Sequence, residues 1–283
     1  MRTLRGRARG CSCVWLSVAT AILLWLPSKT AHANSRSFSY TYESATLPYG
    51  TREVELWSTA RLMKDSYYLR FDERIEFEIG LGRGVQTAFY LNFRGIAKET
   101  ATDVEKSFDF RGLSNEWKWE ISNAVADVIG SALYGEVTWM PHEIELEAKL
   151  ILDKRIGPFL FAYNIVGEVE FEIEKETTAG VTRKEWNKSF IMEHLLALAG
   201  FITEQFSLGL EFRSLTIWKG IDLDFSALFL GPALAYKAEG WWMTLTFLPQ
   251  LPAIRNSSGS PDRRLVLDGL ERYEARLLMG FHF

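Results

Sequence analysis

Glu143, Glu145 and Glu147 occupy alternate positions, and so do Glu168, Glu170, Glu172 and Glu174. Alternate residues of an extended strand share one face, so each run lines up its carboxylates. A hairpin about Gly157-Pro158 would set the two runs side by side, and Glu136 joins them, giving up to eight carboxylates on one wall. Like charges on neighbouring strands repel. Arg70, Arg74, Arg94, Arg213, Arg272 and Arg276 fall on inward phases elsewhere and would form an opposing basic wall. Two chemistries fit this arrangement, beside a third account in which the upper glutamates stand above the membrane, simply solvated. One is a wet passage that favours cations, orients zwitterions or binds a divalent cation. The other is an Arg–Glu network that merely fills a narrow interior.

Other chemistries find less support. Beyond residue 33 the histidines are His142, His194 and His282. His194 is the best candidate base, but Glu193 beside it would face the opposite way along a strand. No Gly-x-Ser-x-Gly or His-x-x-x-His sequence occurs, and no phosphate loop or cofactor fingerprint, so no catalytic residue, resident metal or cofactor is expected. Cys11 and Cys13 are the only cysteines. The net charge of −4 argues against nucleic acid, whose phosphates need a positive surface.

The elements that would position these residues read as strands. Tyr67, Leu69, Phe71, Ile75, Phe77 and Ile79 alternate with Tyr68, Arg70, Asp72, Arg74, Glu76 and Glu78, and only Glu73 breaks the apolar face. Similar segments fall at 52–62, 67–79, 85–94, 104–121, 131–140, 143–153, 159–173, 186–201, 206–218, 225–237, 241–249 and 270–283. An amphipathic sheet in hydrocarbon must close to satisfy its edges. The spacing therefore predicts an all-β, transmembrane antiparallel β-barrel of about twelve strands. A hydrophobic share of 47% is compatible with this, because only outward residues need be apolar. The competing reading is a soluble sandwich or lipocalin-like barrel. Gly231-Pro232 demands a bulge or a strand end, since proline cannot donate to a ladder; in the second case ten or fourteen strands would result.

Connections alternate in length. With both termini periplasmic, the periplasmic turns at 80–84, 154–158, 203–205 and 238–240 are short, with 122–130 an exception. The extracellular loops at 96–103, 174–185, 219–224 and 250–269 are longer, although those near Lys64 and Pro141 are short. Trp57, Trp117, Trp119, Trp139, Trp186, Trp218, Trp241 and Trp242 lie near predicted strand ends, as an interfacial girdle would.

The ends of the chain point to the same compartment. Arg2, Arg5, Arg7 and Arg9 precede a short apolar run and Ala31-His32-Ala33, which predicts a signal peptide over 1–33 with cleavage before Asn34. Its loss would leave a more acidic chain without cysteine. Residues 34–51 would form a periplasmic segment, a short lumenal plug or an added strand, and 52–283 the barrel. The last strand places Tyr273, Phe281 and Phe283 outward. It resembles the closing strand of Gram-negative outer-membrane barrels, whose terminal Phe is read by the barrel-insertion machinery.

The stretch Tyr40-Thr41-Tyr42-Glu43 through Thr46-Leu47-Pro48 and Gly50-Thr51-Arg52-Glu53-Val54-Glu55 resembles the opening of a family of uncharacterised Gram-negative outer-membrane barrels. So do 74–80 with Phe89-Tyr90-Leu91-Asn92, Tyr134-Gly135-Glu136 and 145–151. The resemblance covers most of 40–164 and the last strand. That family is described as outer-membrane transporters and stands near barrels assigned to a phenol-degradation pathway. The resemblance implies the fold and a location among outer-membrane lipids, and carries over no site residues. The expected role is a passive channel or transporter for small solutes with a charged lumen. Alternatives are a non-transporting structural or surface-recognition barrel, and a lipid-modifying enzyme.

Overall fold

The computed structural model describes residues 35–178, 181–257 and 264–283, and of 174–178 and 181–185 the backbone alone. Its twelve strands are β1 Arg52–Leu62, β2 Tyr68–Gly82, β3 Val85–Glu99, β4 Val104–Ser122, β5 Gly130–Met140, β6 Glu143–Ile156, β7 Phe159–Thr178, β8 Val181–Phe201, β9 Phe206–Lys219, β10 Asp222–Ala238, β11 Trp241–Arg255 and β12 Tyr273–His282. Each pairs with its sequence neighbours, and β1 pairs antiparallel with β12 to close the barrel. Among the described residues no helix is long and apolar enough to cross a membrane, which says nothing against crossing by strands.

Alternation decides the faces. Leu56, Phe71, Phe77, Phe89, Leu113, Leu133 and Leu146 are exposed outward, while Glu53, Glu55, Glu76, Ser114, Glu116 and Glu136 are buried inward. Glu73 does lie on the outer face, where the Ser58 hydroxyl donates to it at 2.7 Å. The tryptophans divide. Trp117, Trp119, Trp139 and Trp186 are exposed, but Trp57 and Trp242 are buried on inward phases. Their indole N–H groups donate to Glu55 at 2.8 Å and Glu53 at 3.2 Å, so an internal acceptor takes them out of the expected girdle.

Pro232 is accommodated within β10. It pairs towards β9 with Leu210. Towards β11 the ladder steps from Phe229–Gln250 to Ala233–Thr246 without pairing residues 230–232. The missing N–H therefore costs no ladder bond there. Gly231 is required beside it, because a Cβ would lie 1.8 Å from the Phe247 carbonyl oxygen. Within the expected 174–185 loop, residues 174–178 and 181–185 instead continue the ladder, with Lys175 opposite Lys184 and Thr177 opposite Thr182; 179–180 lie outside the described residues.

The interior is filled partly by residues 35–47. The chain leaves β1 at the end of the barrel where β12 also ends; Gly50 N–H donates to the Gly80 carbonyl at 2.9 Å there. It then climbs into the lumen. Phe38, Tyr40 and Tyr42 alternate and are buried, each in a different apolar cluster. Phe38 meets Leu160 and Ala199, Tyr40 joins the cluster of Val166, Leu195 and Phe229, and Tyr42 joins that of Trp57, Tyr90 and Tyr134. Full burial of such side chains stabilises by roughly 1.5–3 kcal/mol each. At the opposite end, Val266, Leu267 and Leu270 from the β11–β12 connection are also buried. Gln250 ties this connection down, accepting from Val266 N–H at 2.6 Å.

Candidate functional site

Strands β5, β6 and β7 carry the acidic wall. The ladder sets Glu143 opposite Glu172, Glu145 opposite Glu170 and Glu147 opposite Glu168. Glu136 stands opposite Glu147 on the other side. Three rungs of paired carboxylates thus climb one wall. Some are compensated: Arg74 lies 3.5 Å from Glu136, Lys149 lies 2.8 Å from Glu147, and Arg111 lies 3.9 Å from Glu143. Among the described residues no ion pair reaches Glu145, Glu168 or Glu170, and Glu172 is exposed at the upper edge. The side chain of Glu174 lies outside the described residues.

Basic groups gather on β1, β2, β3, β9 and β12. Asp72 receives Arg61 at 3.0 Å, Arg70 at 2.8 Å and Arg94 at 2.6 Å. Arg213 bridges Glu193 at 2.6 Å and Glu274 at 2.9 Å. Arg276 stacks 3.8 Å above the Tyr40 ring. Arg272 is not in the lumen. It precedes β12 at the rim, 3.5 Å from Asp65. A strand that starts at Tyr273 rather than residue 270 leaves Arg272 in the connection, free of the strand's alternation.

Between the two walls lies a cavity of about 220 Å³, lined by Tyr40, Trp57, Arg70, Arg74, Glu145 and Glu168 among others. Tyr42 lines it too, so the segment 38–42 borders this cavity. That segment is held by wall side chains through its backbone. Glu211 accepts from Tyr40 N–H at 3.1 Å and Thr41 N–H at 3.0 Å. Asn164 exchanges two bonds with Tyr42, at 2.6 and 3.0 Å. Asp153, Glu120 and Gln86 accept from Ser44, Thr46 and Leu47 at 3.1, 3.1 and 2.9 Å. Lys118 donates to the Ala45 carbonyl at 2.6 Å, and Tyr40 Oη donates to Glu274 at 3.1 Å. Six strands share the task. These clamps carry no motif. Their only trace in the sequence is that polar residues recur on the inward phase.

Two acids outside the strands have shifted protonation. Burial holds the Glu43 carboxyl above the usual carboxylate range, against the Ser37 N–H that donates to it at 2.6 Å. Burial also raises Glu271, against the pull of Arg61 and Lys64.

Among the described residues His194 has no catalytic partner of the kind a base would need. His194 lies on the outer face, its Nδ1 2.8 Å from Tyr163 Oη with the rings stacked, while Glu193 turns inward to Arg213. Tyr273 packs outward against Phe247 with ring centroids 5.7 Å apart. Phe281 pairs with Val54 and Trp241. Phe283 ends the chain with its N–H 3.0 Å from the Arg52 carbonyl.

Comparison with known proteins agrees with this architecture. Residues 30–283 match the profile of a group described as Family of unknown function (DUF6662). No curated protein sequence matches. The structure is similar to the COG4313 outer membrane channel from Pseudomonas putida F1, at 9% identity and TM-score 0.59, over 85% of this chain and 98% of that one. It is also similar to the β domain of the Bordetella autotransporter BrkA, at 10% identity and TM-score 0.53, over 83% and 100%. The NanC porin follows at 9% identity and TM-score 0.51, over 81% and 98%. At these identities the likeness is one of fold: a closed barrel of the outer-membrane class.

Proposed function

The chain belongs to the DUF6662 family, and from that premise we propose that it is an outer-membrane transport barrel for small cationic or zwitterionic solutes, closed by its own N-terminal segment. The termini and short turns face the periplasm, and the terminal Phe283 addresses the chain to the insertion machinery. The carboxylates of Glu145, Glu168 and Glu170, free of ion pairs among the described residues, carry this reading. Glu145 and Glu168 line the cavity that Arg70, Arg74 and Arg94 also line, and Glu170 stands opposite Glu145 in the ladder. A wall of one charge sign between low-dielectric surfaces concentrates counter-ions, and the basic side would orient a carboxylate-bearing solute. The channel and porin descriptions of two structural neighbours are in keeping with passage. The resemblance to barrels assigned to phenol degradation adds aromatic solutes to the candidates, for which Tyr40, Tyr42 and Trp57 offer ring faces in the same cavity.

One observation favours a second reading. The backbone of 40–47 is fixed by Glu211, Asn164, Asp153, Glu120 and Gln86, which suits a permanently sealed structural barrel. Planar-bilayer recording separates the two. Transport predicts rare openings in the unsubstituted chain, and frequent openings when Glu211→Gln and Asn164→Ala loosen the segment. Glu168→Gln with Glu170→Gln should then move the reversal potential away from cation preference. A loosened, correctly folded barrel that never conducts would leave the sealed reading standing, and unchanged selectivity would remove the acidic wall from the account.

A further inference from the structure

A second group of carboxylates lies nearer the end of the barrel that carries the termini. The ladder sets Glu53 on β1 opposite Glu78 on β2, and Glu55 opposite Glu76. Glu116 on β4 reaches the same region. One oxygen each from Glu76, Glu78 and Glu116 lies within 4.8 Å of the other two, and the same holds for Glu53, Glu55 and Glu78. Glu78 belongs to both groups.

Arg36 and Lys118 lie near enough to attract these carboxylates, but among the described residues neither forms an ion pair with one. Among the described residues the only ionisable base in contact with any of them is His282, which lies against Glu53. Lys118 spends its ammonium on the Ala45 carbonyl, and the Arg36 guanidinium lies over the Tyr42 ring at 4.0 Å. Neutral donors serve some of the oxygens: Trp57 donates to Glu55, Gln86 to Glu78 and Tyr90 to Glu116. Glu76 is different. It is 1% exposed, and neither of its oxygens meets a donor outside the cluster, where the Glu78 carboxyl is its hydrogen-bonding neighbour; Oε1 of Glu116, 0% exposed, meets no donor either. Buried charges are paired or coordinate metals, and an unsatisfied buried polar group signals an ion, a water or a function.

We propose that Glu76, Glu78 and Glu116 hold one divalent cation, with Glu53 and Glu55 extending the negative field behind it. Three carboxylates on curved walls, each able to bind through one or both oxygens, suit calcium, which accepts irregular sets of about six to eight oxygens. The trio has no imidazole or thiolate, so zinc and copper are poorly served. The site adjoins the acidic wall through Glu116, which stands opposite Glu136, but it shares no carboxylate with that wall and does not depend on transport.

Terbium provides the test, because Trp57 and Trp242 bond to Glu55 and Glu53 and can sensitise its emission. The folded full chain in detergent micelles at neutral pH is titrated with Tb³⁺, then with Ca²⁺. One saturable site displaced by Ca²⁺ is expected. Glu76→Gln should weaken it at least about tenfold, whereas Glu168→Gln should leave it unchanged. For the unsubstituted chain, Ca²⁺ should raise the melting temperature above that in EDTA, a readout that does not require the variants to fold. Absence of a saturable site, equal binding by Glu76→Gln, or a melting temperature indifferent to Ca²⁺ would each overturn the proposal in favour of carboxyl groups that share protons.

Discussion

Glu211 accepts hydrogen bonds from two consecutive backbone N–H groups deep in the lumen, those of Tyr40 and Thr41. Glu211→Ala would strand both. Each buried unsatisfied group costs about 1–3 kcal/mol, so the amides of 38–44 should exchange with deuterium markedly faster while β-strand amides stay protected; peptide-resolved mass spectrometry checks this. Glu43 gives the same segment a pH dependence. Its carboxyl is raised by burial, so the docked state holds its proton more tightly than the undocked state. The cost of burying the carboxylate is fully present above the raised value, and is gone once pH falls below the ordinary 4.5. Protection of 38–44, corrected for intrinsic exchange, should therefore rise as pH is lowered from neutral towards the ordinary 4.5. Glu43→Gln should flatten that rise.

At the scale of the strand, Gly231 and Pro232 make opposite demands. A Cβ on Gly231 meets the Phe247 carbonyl, so Gly231→Ala should lower thermal stability by several kcal/mol or block assembly. Pro232→Ala, facing a stretch where the ladder to β11 is already open, should change it by less than about 1 kcal/mol. Heat-modifiable gel mobility of both variants distinguishes the two outcomes. Twelve strands were legible because period-two alternation persists across nearly every segment, as in β2, where Phe71, Ile75 and Phe77 face out and Arg70, Asp72 and Arg74 face in. The extension of β7 to Thr178 and of β8 from Val181 was not legible. Residues 174–178 and 181–185 are polar on both faces, which reads as loop, although Thr and Val favour extended backbone. The acidic rungs were legible for the same reason as the strands, since the register of a tight hairpin follows from its turn. Arg272 was misplaced because one strand boundary shifted.

For the whole molecule, the part that sequence left open was the path of 35–49. Phe38-Ser39-Tyr40-Thr41-Tyr42 alternates like a strand, so pairing at an edge, lying outside and entering the lumen share one local signature. Long-range partners decide it: Glu211, Asn164, Asp153 and Gln86 come from strands far apart in the chain, and no local window contains them. The same partners bear on how the barrel forms. Phe38, Tyr40 and Tyr42 anchor three clusters that together draw on strands from β1 to β12, while the β1–β12 seam joins the two ends of the strand order. The segment precedes all twelve described strands and can act as a mandrel around which the sheet is wound. Closure of the seam would then be the last event of assembly, and a lumen that has closed around its own beginning is one no later-arriving segment needs to find.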